Sequence, residues 1–144
     1  MNLSQYYRYY RKIYNRNLDR NQIRNIMVQI CSALAYLHSK NIMHRDVKPE
    51  NVMINPATQE IKLIDFGFAK TIEEQKNTGY MVTRWYRPLE IVLGLNYNQQ
   101  ADVFAVGAIF LELIHGREIF QSQSNTEQMY LLLNICGYPS PSSK

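Results

Sequence analysis

The 144-residue sequence predicts an α+β fold, mainly α, in which helices are separated by short strands. Three patterns lead there. Ile23, Ile26, Met27, Ile30, Leu34 and Leu37 recur at helical spacing and give one long helix over 20–39 a continuous apolar stripe. The stretch 99–115 holds an almost unbroken apolar run from Ala101 to Ile114, the composition of a helix apolar all round and buried in a core. Between them lie Ile42-Met43, Val52-Met53-Ile54 and Ile61-Lys62-Leu63-Ile64, runs of strand length.

Taken in order, residues 1–20 carry Tyr6, Tyr7, Tyr9, Tyr10 and Tyr14 among Arg8, Arg11, Lys12, Arg16 and Arg20. The segment reads as an amphipathic helix with packed tyrosines and solvated arginines. Asp19 can cap the long helix, with Gln22 as the partner of a capping box. Asn55-Pro56-Ala57-Thr58 is a turn between two strand runs. Residues 68–84 show little periodicity and read as a loop, and Glu90 to Leu93 as a brief helix ended by Gly94. Gly116 is placed to end the apolar helix. Ser124 or Asn125 opens a last helix over 125–136, with Met129, Tyr130, Leu132, Leu133 and Cys136, closed by Gly137 and Pro139.

Composition narrows the function classes. A hydrophobic content of 46% suits a single globular domain over 1–144. No apolar run reaches the roughly eighteen residues a membrane helix needs, so no membrane partner is expected. The start, Met1-Asn2-Leu3-Ser4-Gln5, has no secretory pattern, and the expected compartment is intracellular, cytoplasm and/or nucleus. Cys31 and Cys136 sit in apolar helical patterns without metal-ligand spacing and read as a reduced, buried pair. The net charge of +4 resides in residues 1–20, where five basic residues face Asp19 alone. Such a tyrosine-interleaved basic stretch can imitate a nucleic-acid stacking patch. The amphipathic-helix reading is preferred, so no nucleic-acid partner is expected.

The chemistry concentrates between His44 and Gly67. His44-Arg45-Asp46-Val47-Lys48-Pro49-Glu50-Asn51 is followed by Asp65-Phe66-Gly67, with nineteen residues from Asp46 to Asp65. Asp46 can accept a proton from a hydroxyl nucleophile. Asn51 and Asp65 offer hard oxygen ligands to Mg²⁺, and Lys48 offers a point charge to a migrating phosphoryl group. These acids sit on loops beside short strands, where a rigid scaffold holds them.

The two motifs resemble the catalytic loop and metal-binding motif of eukaryotic protein kinases. A third block, Thr78-Gly79-Tyr80-Met81-Val82-Thr83-Arg84-Trp85-Tyr86-Arg87-Pro88-Leu89-Glu90, is similar to the end of a MAP-kinase activation segment. The resemblance is to the C-terminal lobe of the family, within its MAP-kinase and cyclin-dependent-kinase group. It implies a helical bundle with short β-hairpins at the catalytic loop, with 44–51 as that loop and 65–90 as the activation segment.

What the resemblance implies about residues is specific. Asp46 would be the catalytic base for a substrate Ser or Thr hydroxyl, and Lys48 would stabilise the transferring phosphate. Asn51 and Asp65 would hold Mg²⁺ against the phosphates of ATP. Thr83 would bridge Asp46 and Lys48. His44, Phe66 and Gly67 would shape the site, and Asp102 would tether the catalytic loop through backbone hydrogen bonds. Thr78 and Tyr80 would form a dual phosphorylation site for an upstream dual-specificity kinase, with Arg45 facing Thr78, and Arg84 and Arg87 facing Tyr80. Substrates would be proteins with Ser or Thr followed by Pro.

The sequence also departs from the family. Pro88-Leu89-Glu90 stands where Ala-Pro-Glu is usual, keeping Glu90 but shifting the proline, and Phe104 replaces a usual Trp. No glycine precedes Gly67, so no glycine-rich phosphate loop and no N-terminal lobe are expected. The expectation is a fragment, a truncated gene product or a non-catalytic remnant, inactive alone. The alternative is a kinase-like binding module.

Overall fold

Helix α1 (Leu3–Tyr14) begins on a reciprocal cap: the Asn2 side chain accepts from the Gln5 backbone N–H, and the Gln5 side chain accepts from that of Asn2. The structure, a computed structural model, describes residues 1–71 and 83–138; Thr78, Tyr80 and Pro139 lie outside them. Leu3, Tyr6 and Tyr7 of α1 are buried, whereas Tyr9 and Tyr14 are exposed. Arg8 pairs with Glu118, Arg11 donates to the Gly116 carbonyl at 3.1 Å, and Arg16 donates to the Tyr10 hydroxyl at 3.0 Å.

Helix α2 (Arg20–Ser39) starts at Asp19, whose carboxylate accepts from the backbone of Asn21 and Gln22, both at 2.9 Å. Ile23, Ile26, Ile30 and Leu34 form its buried face. Strands β1 (Ile42–Met43), β2 (Val52–Ile54), β3 (Ile61–Leu63) and β4 (Lys70–Thr71) make two antiparallel pairs, β1 with β4 and β2 with β3. In the second pair Val52 stands opposite Leu63 and Ile54 opposite Ile61. Gln29 ties α2 to that hairpin, accepting from the Ile61 N–H at 3.0 Å and donating to the Gln59 carbonyl at 2.9 Å. The described chain is thus mostly helical with short antiparallel strands.

The short helix α3 (Leu89–Val92) opens at Pro88, whose φ of −69° is a ring-compatible value at the N-cap. The shifted proline therefore fits its backbone. Helix α4 (Gln100–His115) runs beside α2, and α5 (Asn125–Cys136) is capped by Ser124, which accepts from the Glu127 N–H at 3.1 Å.

Two expectations need correction. Helix α4 is not buried all round: Val103, Phe110 and Ile114 are exposed along one stripe, while Ala101, Ala105, Val106, Ala108, Ile109 and Leu113 are its buried apolar residues. An almost continuous apolar run hides this asymmetry, because the stripes differ in packing and not in polarity. Cys31 and Cys136 are both exposed. Cys31 follows the fully buried Ile30, and one residue along a helix is a rotation of about 100°, enough to leave the apolar face.

Gly116 ends α4 in the left-handed region, at φ 70°, and a Cβ there would stand 2.6 Å from Asn17 Oδ1. Asn17 in turn donates to the Ile114 carbonyl at 3.1 Å, satisfying one of the terminal acceptors of α4. Gly116→Ala is therefore expected to cost about 1–3 kcal/mol through backbone strain and crowding. A urea midpoint equal to that of the wild type would contradict it.

Candidate active site

The loop from His44 to Asn51 is positioned by the first turn of α4. Asp102, 2% exposed, accepts from the backbone N–H of His44 and of Arg45, each at 2.9 Å. His38 at the end of α2 approaches the same carboxylate at 2.9 Å. One buried acid thus joins α2, α4 and the loop, and its three partners offset the cost of its burial.

His44 is fully buried. Its Nε2 stands 3.1 Å from the Ile64 carbonyl, its Nδ1 accepts from the Asp46 N–H at 3.3 Å, and its ring lies 5.0 Å from that of Phe66. Phe66 is 48% exposed. Arg45 has a positive φ of 69° and places its guanidinium 5.5 Å from the Tyr97 ring centre.

Asp46 is 1% exposed, and its two oxygens are unequal. Oδ2 accepts from Lys48 Nζ at 2.8 Å and from Asn51 Nδ2 at 2.9 Å, while the buried Oδ1 has no hydrogen-bond partner among the described residues. Asn51 Nδ2 also donates to the Asp46 carbonyl at 2.8 Å, which locks the two residues together. Lys48 Nζ donates to Thr83 Oγ1 at 2.9 Å as well. The bridging group is therefore the Lys48 ammonium, which joins Asp46 to Thr83, and not the threonine. An ammonium with three hydrogens can serve both oxygens at once.

Asp65 reaches the loop through the backbone. The Ile64 N–H donates to the Asn51 carbonyl at 2.9 Å, which sets Asp65 beside Asn51 in chain path. Its own φ is 62°, its side chain is exposed, and Oδ1 accepts from the Gly67 N–H at 3.2 Å. Asp65 makes no side-chain hydrogen bond to Asp46 or Asn51. The structure joins Asp46, Lys48, Asn51 and Thr83 directly, with Asp65 as an exposed neighbour.

Downstream, Trp85 donates to the Ser122 carbonyl at 3.0 Å, and Arg84 Nη1 stands 3.5 Å from it. Arg87 is buried and Glu90 half-buried. The pairings expected of Arg45, Arg84 and Arg87 with Thr78 and Tyr80 fall outside the described residues.

The donor set suits a cation shared with a phosphate. Among the described residues no three His, Cys, Asp or Glu side chains gather to hold a metal unaided. With Nδ2 committed to Asp46, the Asn51 amide has its oxygen to offer a cation, and Asp65 offers an exposed carboxylate. Two hard oxygen donors match a Mg²⁺ that completes its shell with phosphates and water.

Sequence reasoning did not anticipate Glu112 of α4. It is 2% exposed and accepts from the Tyr7 hydroxyl and from the Tyr86 hydroxyl, both at 2.6 Å. Burial pushes its carboxyl above the usual range, while the two hydroxyls pull it back down. A single acid inside an apolar run carried the only available signal. It implied a buried partner without naming one.

The chain belongs to the protein kinase family: the sequence profile described as the protein kinase domain matches residues 1–139. It is similar to mitogen-activated protein kinase 14 of Xenopus laevis, 41% identical over 125 residues, which is 86% of this chain and 34% of the relative. Mitogen-activated protein kinase p38b of Drosophila melanogaster is 38% identical over 129 residues, 89% of this chain and 35% of the relative. Cyclin-dependent kinase B2-1 of Arabidopsis thaliana is 35% identical over 128 residues, 87% of this chain and 41% of the relative. The chain spans about a third of the length of the curated relatives it matches. Among the described residues no helix is long and apolar enough to cross a membrane.

Proposed function

We propose that this chain is the C-terminal lobe of a MAP-kinase-like protein serine/threonine kinase, which transfers the γ-phosphate of ATP to Ser or Thr followed by Pro in intracellular proteins. The observation that carries this reading is the buried Oδ1 of Asp46, unpartnered among the described residues, next to the Lys48–Thr83 contact. Asp46 orients the substrate hydroxyl and receives its proton at Oδ1. Lys48, fixed between Asp46 and Thr83, holds positive charge beside the acceptor, where negative charge accumulates during transfer. Asn51 and Asp65 would hold Mg²⁺. ATP supplies the phosphoryl group, and the metal neutralises its phosphates. In this reading Thr78 and Tyr80 receive phosphate from an upstream dual-specificity kinase.

These 144 residues hold no glycine before Gly67, which favours a second reading for the stretch in isolation: a kinase-like module that binds partners without catalysis. One assay separates the two. The native polypeptide containing residues 1–144 is incubated with γ-labelled ATP and a Ser-Pro peptide. Label transfer is expected, abolished by chelation of Mg²⁺ and reduced about tenfold when Ala replaces the proline. Partner binding without any transfer would favour the second reading instead.

A further inference from the structure

Phosphoryl transfer, as proposed above, assigns no task to a deeply buried polar contact outside the loop, the one made by Glu112. Its two oxygens hold two tyrosines from distant parts of the chain: Tyr7 from α1 and Tyr86 from the single turn of 3₁₀ helix at Arg84–Tyr86. That turn begins at Thr83, and the Tyr86 N–H donates to the Thr83 carbonyl at 3.3 Å. Thr83 in turn accepts from Lys48, and Lys48 donates to Asp46.

We propose that Tyr7 is a positioning residue of the active site: by holding Glu112 it fixes Tyr86, and with it the turn that delivers Thr83 to Lys48. The inference rests on the kinase reading for its catalytic consequence only.

The chemistry supports a rigid relay. Both tyrosines donate to one carboxyl group, each at 2.6 Å. The Tyr86 hydroxyl stays protonated, since burial and then the nearby Glu112 charge both push it up. Tyr7 also accepts from Arg8 Nε at 3.4 Å, and Arg8 pairs with Glu118 at the surface. This leaves the single Tyr7 hydrogen directed at Glu112. Removing the Tyr7 hydroxyl would strand a buried oxygen of Glu112, and the carboxylate could regain a partner only by shifting. Tyr86 would move with it.

The test is Tyr7→Phe in the native polypeptide containing residues 1–144, read by hydrogen exchange and by kinetics. Exchange in a peptide covering 83–87 is expected to rise about tenfold, with the β2–β3 hairpin and α5 unchanged. The kcat for Ser-Pro peptide phosphorylation is expected to fall about fivefold at constant KM for ATP. Tyr7→Phe added to Tyr86→Phe should cause no further change in 83–87, because both act through one carboxylate. Unchanged exchange at 83–87, or an equal rise in every helix, would overturn the proposal and leave Tyr7 a packing residue. If the wild type transfers no phosphate, the kinase reading fails, while the exchange comparison still decides whether Tyr7 fixes the turn.

Discussion

Asp46→Asn is expected to lower phosphoryl transfer about a thousandfold while leaving the chain folded. The substitution is nearly isosteric, and an amide oxygen at the Oδ2 position can still accept from Lys48 and Asn51. Its NH₂ would then occupy the position of Oδ1, where the proposed reaction needs an acceptor. A proton donor there faces the substrate hydroxyl with the wrong polarity. KM for ATP should stay within a fewfold, since nucleotide binding is assigned to other residues. Single-turnover rates on a Ser-Pro peptide, beside a thermal melt of both proteins, measure the effect. Equal rates would remove Asp46 from the mechanism.

Asp102→Ala is expected to cost about 3 kcal/mol, the sum of one buried and one part-buried backbone donor left without an acceptor, each worth about 1–3 kcal/mol. The donors are the N–H groups of His44 and Arg45, and His38 loses its contact too. A typical domain has about 5–15 kcal/mol in hand, so the variant should fold in buffer and unfold at much lower urea. Asp102→Asn should fall between, because an amide oxygen still accepts while its NH₂ meets a donor. A urea midpoint for the alanine variant close to that of the wild type would show that the loop holds itself.

Both predictions draw on contacts of different legibility. The caps at Asp19 and Gly116 were readable because a cap is a local device, complete within a few residues. The Asn2–Gln5 box was equally local and could have been read from Asn and Gln three residues apart. The loop acids could be identified by motif, yet their geometry could not: that Lys48 bridges Asp46 and Thr83 depends on a contact across 35 residues. Glu112 lay beyond reach, since its partner Tyr7 is 105 residues away. Periodicity marked an apolar run at α4 but not which stripe packs, and the exposed Val103, Phe110 and Ile114 follow from its neighbours.

Arg45 and Asp65 both hold left-handed backbone, at φ 69° and 62°. An aspartate visits this region readily, an arginine much less so, and the conformation costs arginine about 1 kcal/mol that glycine would not incur. Glycine at position 45 would relieve that strain but raise the entropy of the unfolded chain by a comparable amount. A glycine there gives up the guanidinium beside Tyr97 and a restrained link between His44 and Asp46. The arginine at this position thus keeps its contact with Tyr97 at the cost of left-handed backbone.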